Sequence, residues 1–323
     1  MNQLYRALHM PPARLVKKLA GWKEIYTIAL RPVPTAPGCD PLPALGEGAY
    51  TRLPGKAGVW YADPLLFHHE DKRWLFCEAF DMATGKGDIA VMDITDPDHP
   101  GEPQTVLTES YHLSFPTVFD WNGEVWMIPE TGTNHSLNLY RCKQFPGEWE
   151  LVRSFSTEDK ELADTILLDV QPGELTLLCS QVKPENGLFT RYRRYALRAD
   201  EQAEGGFVLE EDETFGLENR NYDLGARNAG PVFTWAGQTV RPAQVSTKVD
   251  YGVYLQFWTR RGEKETPLCA AMPANVRIEG LDPDSVIGIH TYCRDDAVEI
   301  IDARYLAKVP PIPTPKQEDP KQC

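Results

Sequence analysis

The sequence predicts an all-β protein, and within that class a five-bladed β-propeller. Three observations carry this. The stretch from Ser114 to Glu130, SFPTVFDWNGEVWMIPE, alternates with period two into Asn122-Gly123 and back out, the pattern of a two-stranded hairpin. The pattern recurs as ADPLLF before RWLFCE, ADTILL before ELTLLCS and AGPVF before QTVRPAQ, and the anchors Phe67 to Glu78, Phe119 to Glu130, Leu168 to Cys179 and Phe233 to Gln244 are each 11 positions apart. With a shorter fifth copy, GIHTY before AVEIID, the starts near Asp63, Phe115, Asp164, Ala229 and His290 step by 52, 49, 65 and 61 residues, a blade-like period lengthened by surface loops.

Residues 1–23 carry Arg6, Arg14, Lys17, Lys18 and Lys23 and no acid, and predict a short amphipathic helix after Pro11-Pro12 with Leu15, Leu19 and Trp22 at helical spacing. Such a segment either caps the propeller or meets a membrane surface or a partner. Glu24 to Pro32 reads as a strand, and the Pro- and Gly-rich stretch from Pro32 to Gly58 as a long connection. Blade one follows from Trp60, with GDIAVMDI as an outer strand and DPDHPGEP as its closing turn. Blade two adds SLNLYRC and WELVRSF, blade three RYRRYALR, and blade four YGVYLQFWT. The acidic run from Glu201 to Glu213 reads as a solvated loop or edge, because like charges repel and prefer water. Blade five ends near Tyr305, and PIPTPKQEDPKQC has little to bury and is expected to be disordered. The expected organisation is a basic segment over residues 1–23, one propeller over 24–306 and a disordered Pro-rich tail over 307–323.

Of 323 residues, 42% are hydrophobic and 25% charged, as in soluble globular chains. A net charge of −14, or −19 without the basic first segment, repels polyanions, so nucleic acid is not an expected partner. The seven cysteines show no CxxC spacing, which suggests neither a zinc site nor a disulfide framework. No apolar run has the length of a signal peptide or membrane span, and a reducing cytoplasm is the expected compartment.

In a propeller the first strand of each blade lines the central channel, so equivalent starts converge on one mouth. By that rule Asp63, His112, Ser114, Asp164, Arg227 and His290 point to a common funnel, and the second strands add Glu78, Glu130 and Gln244. Buried charges need partners or water, and such a cluster suits a polar ligand with many hydroxyls. Two carboxylates there can serve as general acid and as base or nucleophile at a glycosidic bond. Asp63 is the first choice for base and Glu130 or Glu78 for acid, with Asp164 completing the acidic set. Arg227 and Arg241 can fork two hydrogen bonds to an acidic group of the ligand, and His112, Ser114, Gln244 and His290 are the other candidate substrate contacts. No oxygen-ligand motif accompanies His290, so no metal or other cofactor is expected. The GKG at residues 85–87 is too short for a phosphate loop and reads as a turn.

ADPLLF with FCE, YHLSFPTVF with WMIPET, LYRC with FPGEWE, RNAGPVF with VRPAQ, and DYG and HTY with IID together resemble the propeller at the amino terminus of plant glucosamine inositolphosphorylceramide transferases and of bacterial stand-alone proteins. The resemblance covers approximately Trp60 to Asp302. That family is distantly similar to the five-bladed arabinanase and levansucrase clan of glycosidases. In the plant proteins the resemblance implies transferase chemistry in a separate carboxy-terminal domain. This sequence departs from the glycosidase clan at Phe115-Pro116, where a second carboxylate is usual, and near Asp164, where the clan's general acid has no clear equivalent. The combined expectation is a carbohydrate-active propeller that hydrolyses or transfers at a glycosidic bond. The alternative is a non-catalytic glycan-recognition or scaffold domain serving a glycosyltransferase.

Overall fold

The structure, a computed structural model, describes residues 9–33, 48–157, 160–182, 189–215, 220–247 and 250–309. Turn chemistry builds its basic unit. Asn122 and Gly123 both adopt positive φ, 52° and 81°, as do Ala236 and Gly237, 46° and 72°. Two successive left-handed residues twist a tight turn in the sense that antiparallel strands require.

These hairpins extend into five antiparallel sheets arranged as blades. Blade one runs Val59–His69, Lys72–Asp81, Lys86–Asp93 and Gln104–Leu107 from the axis outward. Blade two is Ser114–Trp121, Glu124–Glu130, Ser136–Gln144 and Glu148–Ser156. Blade three is Glu161–Gln171, Glu174–Val182, Phe189–Ala199 and Phe207–Glu211. In blade four Arg227–Asn228 and Phe233–Trp235 share the inner place beside Gln238–Val245, followed by Tyr254–Arg261 and Lys264–Ala271.

The last blade closes the ring with strands from opposite ends of the described chain. Val286–Gly288 and Tyr292–Arg294 lie beside Val298–Ala307, which pairs with Lys23–Pro32 from Lys23 opposite Ala307 to Pro32 opposite Val298. Thr51–Arg52 adds the edge. The expected strand from Glu24 thus forms, as the third strand of blade five.

Apolar clusters fill the gaps between neighbouring blades. Ile28, Leu75, Met92 and Ile300 join blades five and one, and Phe76, Ile89, Met127 and Tyr140 join one and two. Trp126, Leu139, Leu177 and Leu197 join two and three, while Val240, Phe257, Tyr292 and Ile301 join four and five. Phe115 is fully buried with Leu65, Ile166, Leu178 and Tyr192, so the inner strands of blades one, two and three meet through apolar side chains.

One expectation changes. Ala163 pairs with Ser180, and irregularities on the first strand of blade three insert a residue. Ser180 therefore occupies the level of Glu78 and Glu130, whereas Cys179 turns into the core between blades two and three. The acidic run forms the expected solvated edge, with Glu201, Glu204, Glu210 and Glu213 exposed, and ion pairs lie along it: Glu211 with Arg193 (2.6 Å) and Lys160 (2.8 Å), Glu210 with Arg198, and Asp212 with Arg194. The helix, Pro12–Leu19, turns inward through buried Arg14, which binds Glu24 and Asp250 at 2.6 Å each. Leu19 is 80% exposed, so the Leu15, Leu19 and Trp22 stripe is not the docked face. Among the described residues no helix is long and apolar enough to cross a membrane. The proposed tail from Pro310 lies outside the described residues.

Ring closure carries a buried charge. Glu299, fully buried, accepts from Arg31 Nε (2.5 Å), Tyr50 OH (3.0 Å) and Tyr292 OH (2.8 Å). Removing one partner of a buried ion pair strands the other, so Glu299→Ala is expected to cost about 3–5 kcal/mol in urea unfolding. An Arg31→Met/Glu299→Met pair should recover most of that loss. A Glu299→Ala variant as stable as the parent would show that closure does not lean on this network.

Candidate active site

The inner strands place their polar groups through a repeated irregularity. Asp63, Phe115 and Asp164 sit at φ 52°, 44° and 49°, each where the ladder to the second strand breaks, between Ala62 and Leu65, Ser114 and Thr117, and Ala163 and Ile166. Left-handed backbone at a non-glycine residue costs of order 1–3 kcal/mol and persists where the surroundings impose it. Breaks of this kind re-aim a side chain. In blade four Gly230 holds φ 138°, and a Cβ there would meet the Tyr292 carbonyl oxygen at 2.0 Å.

Two ion-paired groups form around these positions. Asp164 receives Arg227 Nε at 2.5 Å and Nη2 at 2.8 Å, and the same guanidinium reaches Glu130 at 3.4 Å. Glu130 also accepts the backbone N–H of Asp164 at 3.0 Å. On the other side Asp302 receives His290 Nδ1 at 2.5 Å and the backbone N–H groups of Asp63, His290 and Thr291. Asp63 accepts the Thr291 hydroxyl at 2.8 Å. Tyr26 stacks on His290 at 4.8 Å, Tyr251 meets it edge-on at 5.4 Å, and Arg227 lies over Tyr251.

A third group stands between them. His112 Nδ1 accepts the Gly87 N–H at 3.0 Å, which leaves Nε2 facing Glu78 at 3.4 Å. Gly87 is the close approach that permits this: a Cβ would lie 2.7 Å from Glu78 Oε1 and 2.8 Å from His112 Cε1. The second glycine of the GKG turn is thus required by packing against the site.

Burial separates the protonation states. It is the strongest influence on Asp63 and, opposed by His290, pushes it up to about 6. Burial and then the Asp164 charge push Glu130 up to about 8 against the pull of Arg227. Burial and then Asp63 hold Glu78 well above the usual carboxylate range. Burial also opposes the charges of His290 and Asp302, but each outweighs it for the other, so His290 is raised and Asp302 lowered. His112 is lowered by burial and then by Lys86. Burial thus favours the neutral form of all three carboxyls, and does so more for Glu130 than for Asp63.

Asp63, Glu78, Glu130, Asp164, Arg227, His112 and His290 thus surround one mouth, and the acids influence one another's titration. Ser114, buried, lies opposite Glu130 in the ladder. Gln244 lies opposite Arg227, donating to the Asn228 carbonyl at 3.0 Å. Arg241, expected as an orienting group, does not reach the mouth. It is fully buried between blades, held by Glu265 (2.6 and 2.7 Å), Asn228 (2.9 Å) and Tyr192 (3.3 Å), because its strand position faces the neighbouring sheet. The residue list from sequence lacks Asp302, Thr291, Tyr26 and Tyr251. Asp302 ends the second arm of the fifth copy as Glu78 and Glu130 end theirs, so the repeat itself carried that signal. Asp63, His290 and Asp302 each offer a ligand atom within 4.8 Å of the others, a set able to hold a cation, and the same three are linked through His290 and Thr291 hydrogen bonds.

With this geometry in hand, comparison with known proteins is informative. Residues 48–261 match the family described as glucosamine inositolphosphorylceramide transferase 1, N-terminal. The transferase of that name from Oryza sativa subsp. indica is 33% identical over 225 residues, 66% of this chain and 28% of the rice protein. Its namesake from Arabidopsis thaliana is 41% identical over 98 residues, 30% of this chain and 13% of that protein. This chain therefore matches well under a third of the length of these relatives. The catalytic domain of a GH62 α-L-arabinofuranosidase from Coprinopsis cinerea superposes with TM-score 0.50 at 11% identity, covering 76% of this chain and 90% of that one, a likeness of fold.

The raised Glu130 yields a pH test. A carboxyl whose folded pKa, about 8, exceeds its unfolded value near 4.3 holds its proton more tightly when folded, so stability is lost as pH rises between the two. Glu130→Gln removes that loss while leaving Arg227 on Asp164. The melting temperature of the variant minus that of the parent is expected to grow from pH 5 to pH 9; a difference that is flat or falls with pH would contradict the assignment.

Proposed function

Since the chain belongs to the family of the amino-terminal domain of glucosamine inositolphosphorylceramide transferase 1, we propose that it is a carbohydrate-active propeller that cleaves or transfers at a glycosidic bond of a glycan or glycoconjugate. The observation that carries the reading is the grouping of Glu130 and Glu78, both held above the usual carboxylate range by burial, with Asp63, which is pushed up to about 6 and accepts the Thr291 hydroxyl. Two carboxyls driven apart by their surroundings supply an acid and a base in one site.

In this reading Glu130, or Glu78 beside His112, gives its proton to the departing sugar oxygen. Asp63 takes the proton of the attacking water or acceptor hydroxyl. Its aim is set by Thr291 and by the backbone bond to Asp302. Arg227 and Asp164 fix Glu130, and His112, Ser114, Gln244 and His290 contribute contacts to sugar hydroxyls. The relatives' name, joining glucosamine to an inositolphosphorylceramide, supports a sugar-bearing ligand.

One observation favours a second reading. Glu130 is already engaged by Arg227 and by an Asp164 amide, and blades three and four present Ser180 and Gln244 where an additional acid would stand. Under it the propeller recognises a glycan for a partner glycosyltransferase without chemistry of its own. Peripheral membrane contact through residues 1–23 and a cytoplasmic location, both expected from sequence, belong with either reading.

A panel of aryl glycosides and furanosides separates the two. The catalytic reading expects turnover that Asp63→Asn lowers roughly 10²–10⁴-fold in kcat with little change in KM. No turnover by the parent, with Asp63→Asn keeping full glycan affinity, would establish the binding module instead.

A further inference from the structure

A second cleft, of about 270 Å³, opens between blades one and five, walled by the strand Lys23–Pro32, the loop after Thr51–Arg52 and the start of Val59–His69. It adjoins the mouth through shared side chains. Tyr26 and Trp60 line the cleft, Tyr26 stacks on His290 of the mouth at 4.8 Å, and Trp60 lies 5.0 Å from Tyr26 and 4.3 Å from Phe80. One aromatic wall thus runs from the acidic mouth into the cleft.

The cleft side of the wall is cationic. No carboxylate lines the cleft among the described residues, whereas Arg52 and Lys56 do. Half-buried arginines elsewhere in the chain are ion-paired: Arg141 with Glu150, Arg198 with Glu174 and Arg153 with Glu204. Neither Arg52 nor Lys56 has an ion-pair partner among the described residues. Arg52 is nonetheless held in place, donating Nε to Thr27 Oγ1 at 3.3 Å and Nη2 to Tyr305 OH at 3.2 Å, with its guanidinium 5.5 Å from the Tyr305 ring. A guanidinium fixed by neutral partners keeps its full charge, and its remaining N–H groups, both on Nη1 and one on Nη2, are left for a ligand.

We propose that this cleft binds the phosphoryl group of a phosphorylated sugar whose ring lies along the Tyr26 and Trp60 wall. The acids of the mouth already have their own cations, Arg227 on Asp164 and His290 on Asp302, so a phosphate meets uncompensated positive charge on the cleft side of the wall, at Arg52 and Lys56. Aromatic faces on the wall pack against the C–H face of a sugar ring, and the guanidinium fork matches phosphate oxygens. The placement of the sugar rests on the glycan reading above; the capture of phosphate does not.

Isothermal titration calorimetry of the full chain with hexose 1-phosphates, the matching free hexoses and inorganic phosphate tests this. Hexose phosphates are expected to bind more tightly than free hexoses, with affinity falling as salt rises. Arg52→Gln/Lys56→Gln should weaken hexose phosphate at least tenfold and leave hexose affinity and melting temperature unchanged; the single Lys56→Gln change, on an exposed loop, should give part of that loss. Inorganic phosphate that competes with hexose phosphate marks the phosphoryl group as the element bound. Equal affinity of parent and double variant for hexose phosphate, or no preference over the free hexose, overturns the proposal. Asp63→Asn should not alter phosphate binding, so loss of turnover with phosphate binding intact bears on the acid–base reading alone.

Discussion

The pairing of Lys23–Pro32 with Val298–Ala307 is the constraint on which the molecule depends. A propeller has no core of its own at the axis until its ring is closed, because each blade buries its faces against two neighbours. Here the last blade is completed by a strand from near the other end of the chain, and Arg31 and Glu299 meet across that seam in full burial. The same strand delivers Tyr26 to His290 and walls the second cleft. The closure that secures the fold therefore also finishes the mouth.

Charge in the mouth is arranged so that each buried ion has a partner while some carboxyls are left to hold protons. Asp164 is compensated by Arg227, and Asp302 by His290 and three backbone amides. Glu130 and Glu78 are not fully compensated, and burial raises both above the usual carboxylate range. Phe115, read from sequence as the loss of a second clan carboxylate, packs with Leu65 and Ile166 of the neighbouring inner strands in a buried apolar cluster.

Legibility from sequence followed the locality of each signal. Asp63, Glu78, Glu130 and Asp164 could be brought together because alternation and turns sit within one hairpin, and equal spacing carries a position from blade to blade. The register slipped where a single extra residue entered blade three, moving the matched place from Cys179 to Ser180. Arg241 was misplaced because period two says which residues share a face, but not whether that face looks at the axis or at the next blade. The inward side of the first helix was not legible for a related reason: apolar spacing marks Leu15 and Leu19, while Arg14 meets two carboxylates that no pattern announces.

What the amino-acid sequence determined by itself is the repeating unit and its number. Strands, tight turns and arm-ending acids are short-range properties, decided by residues within about a dozen positions of one another. Only the tertiary structure decided that a strand near the start of the chain would complete the last blade, that Thr291 would donate to Asp63 across 228 positions, and which carboxyls would keep their protons. Those outcomes depend on distance and on exclusion of water, and both are set by the closed ring rather than by any stretch of chain.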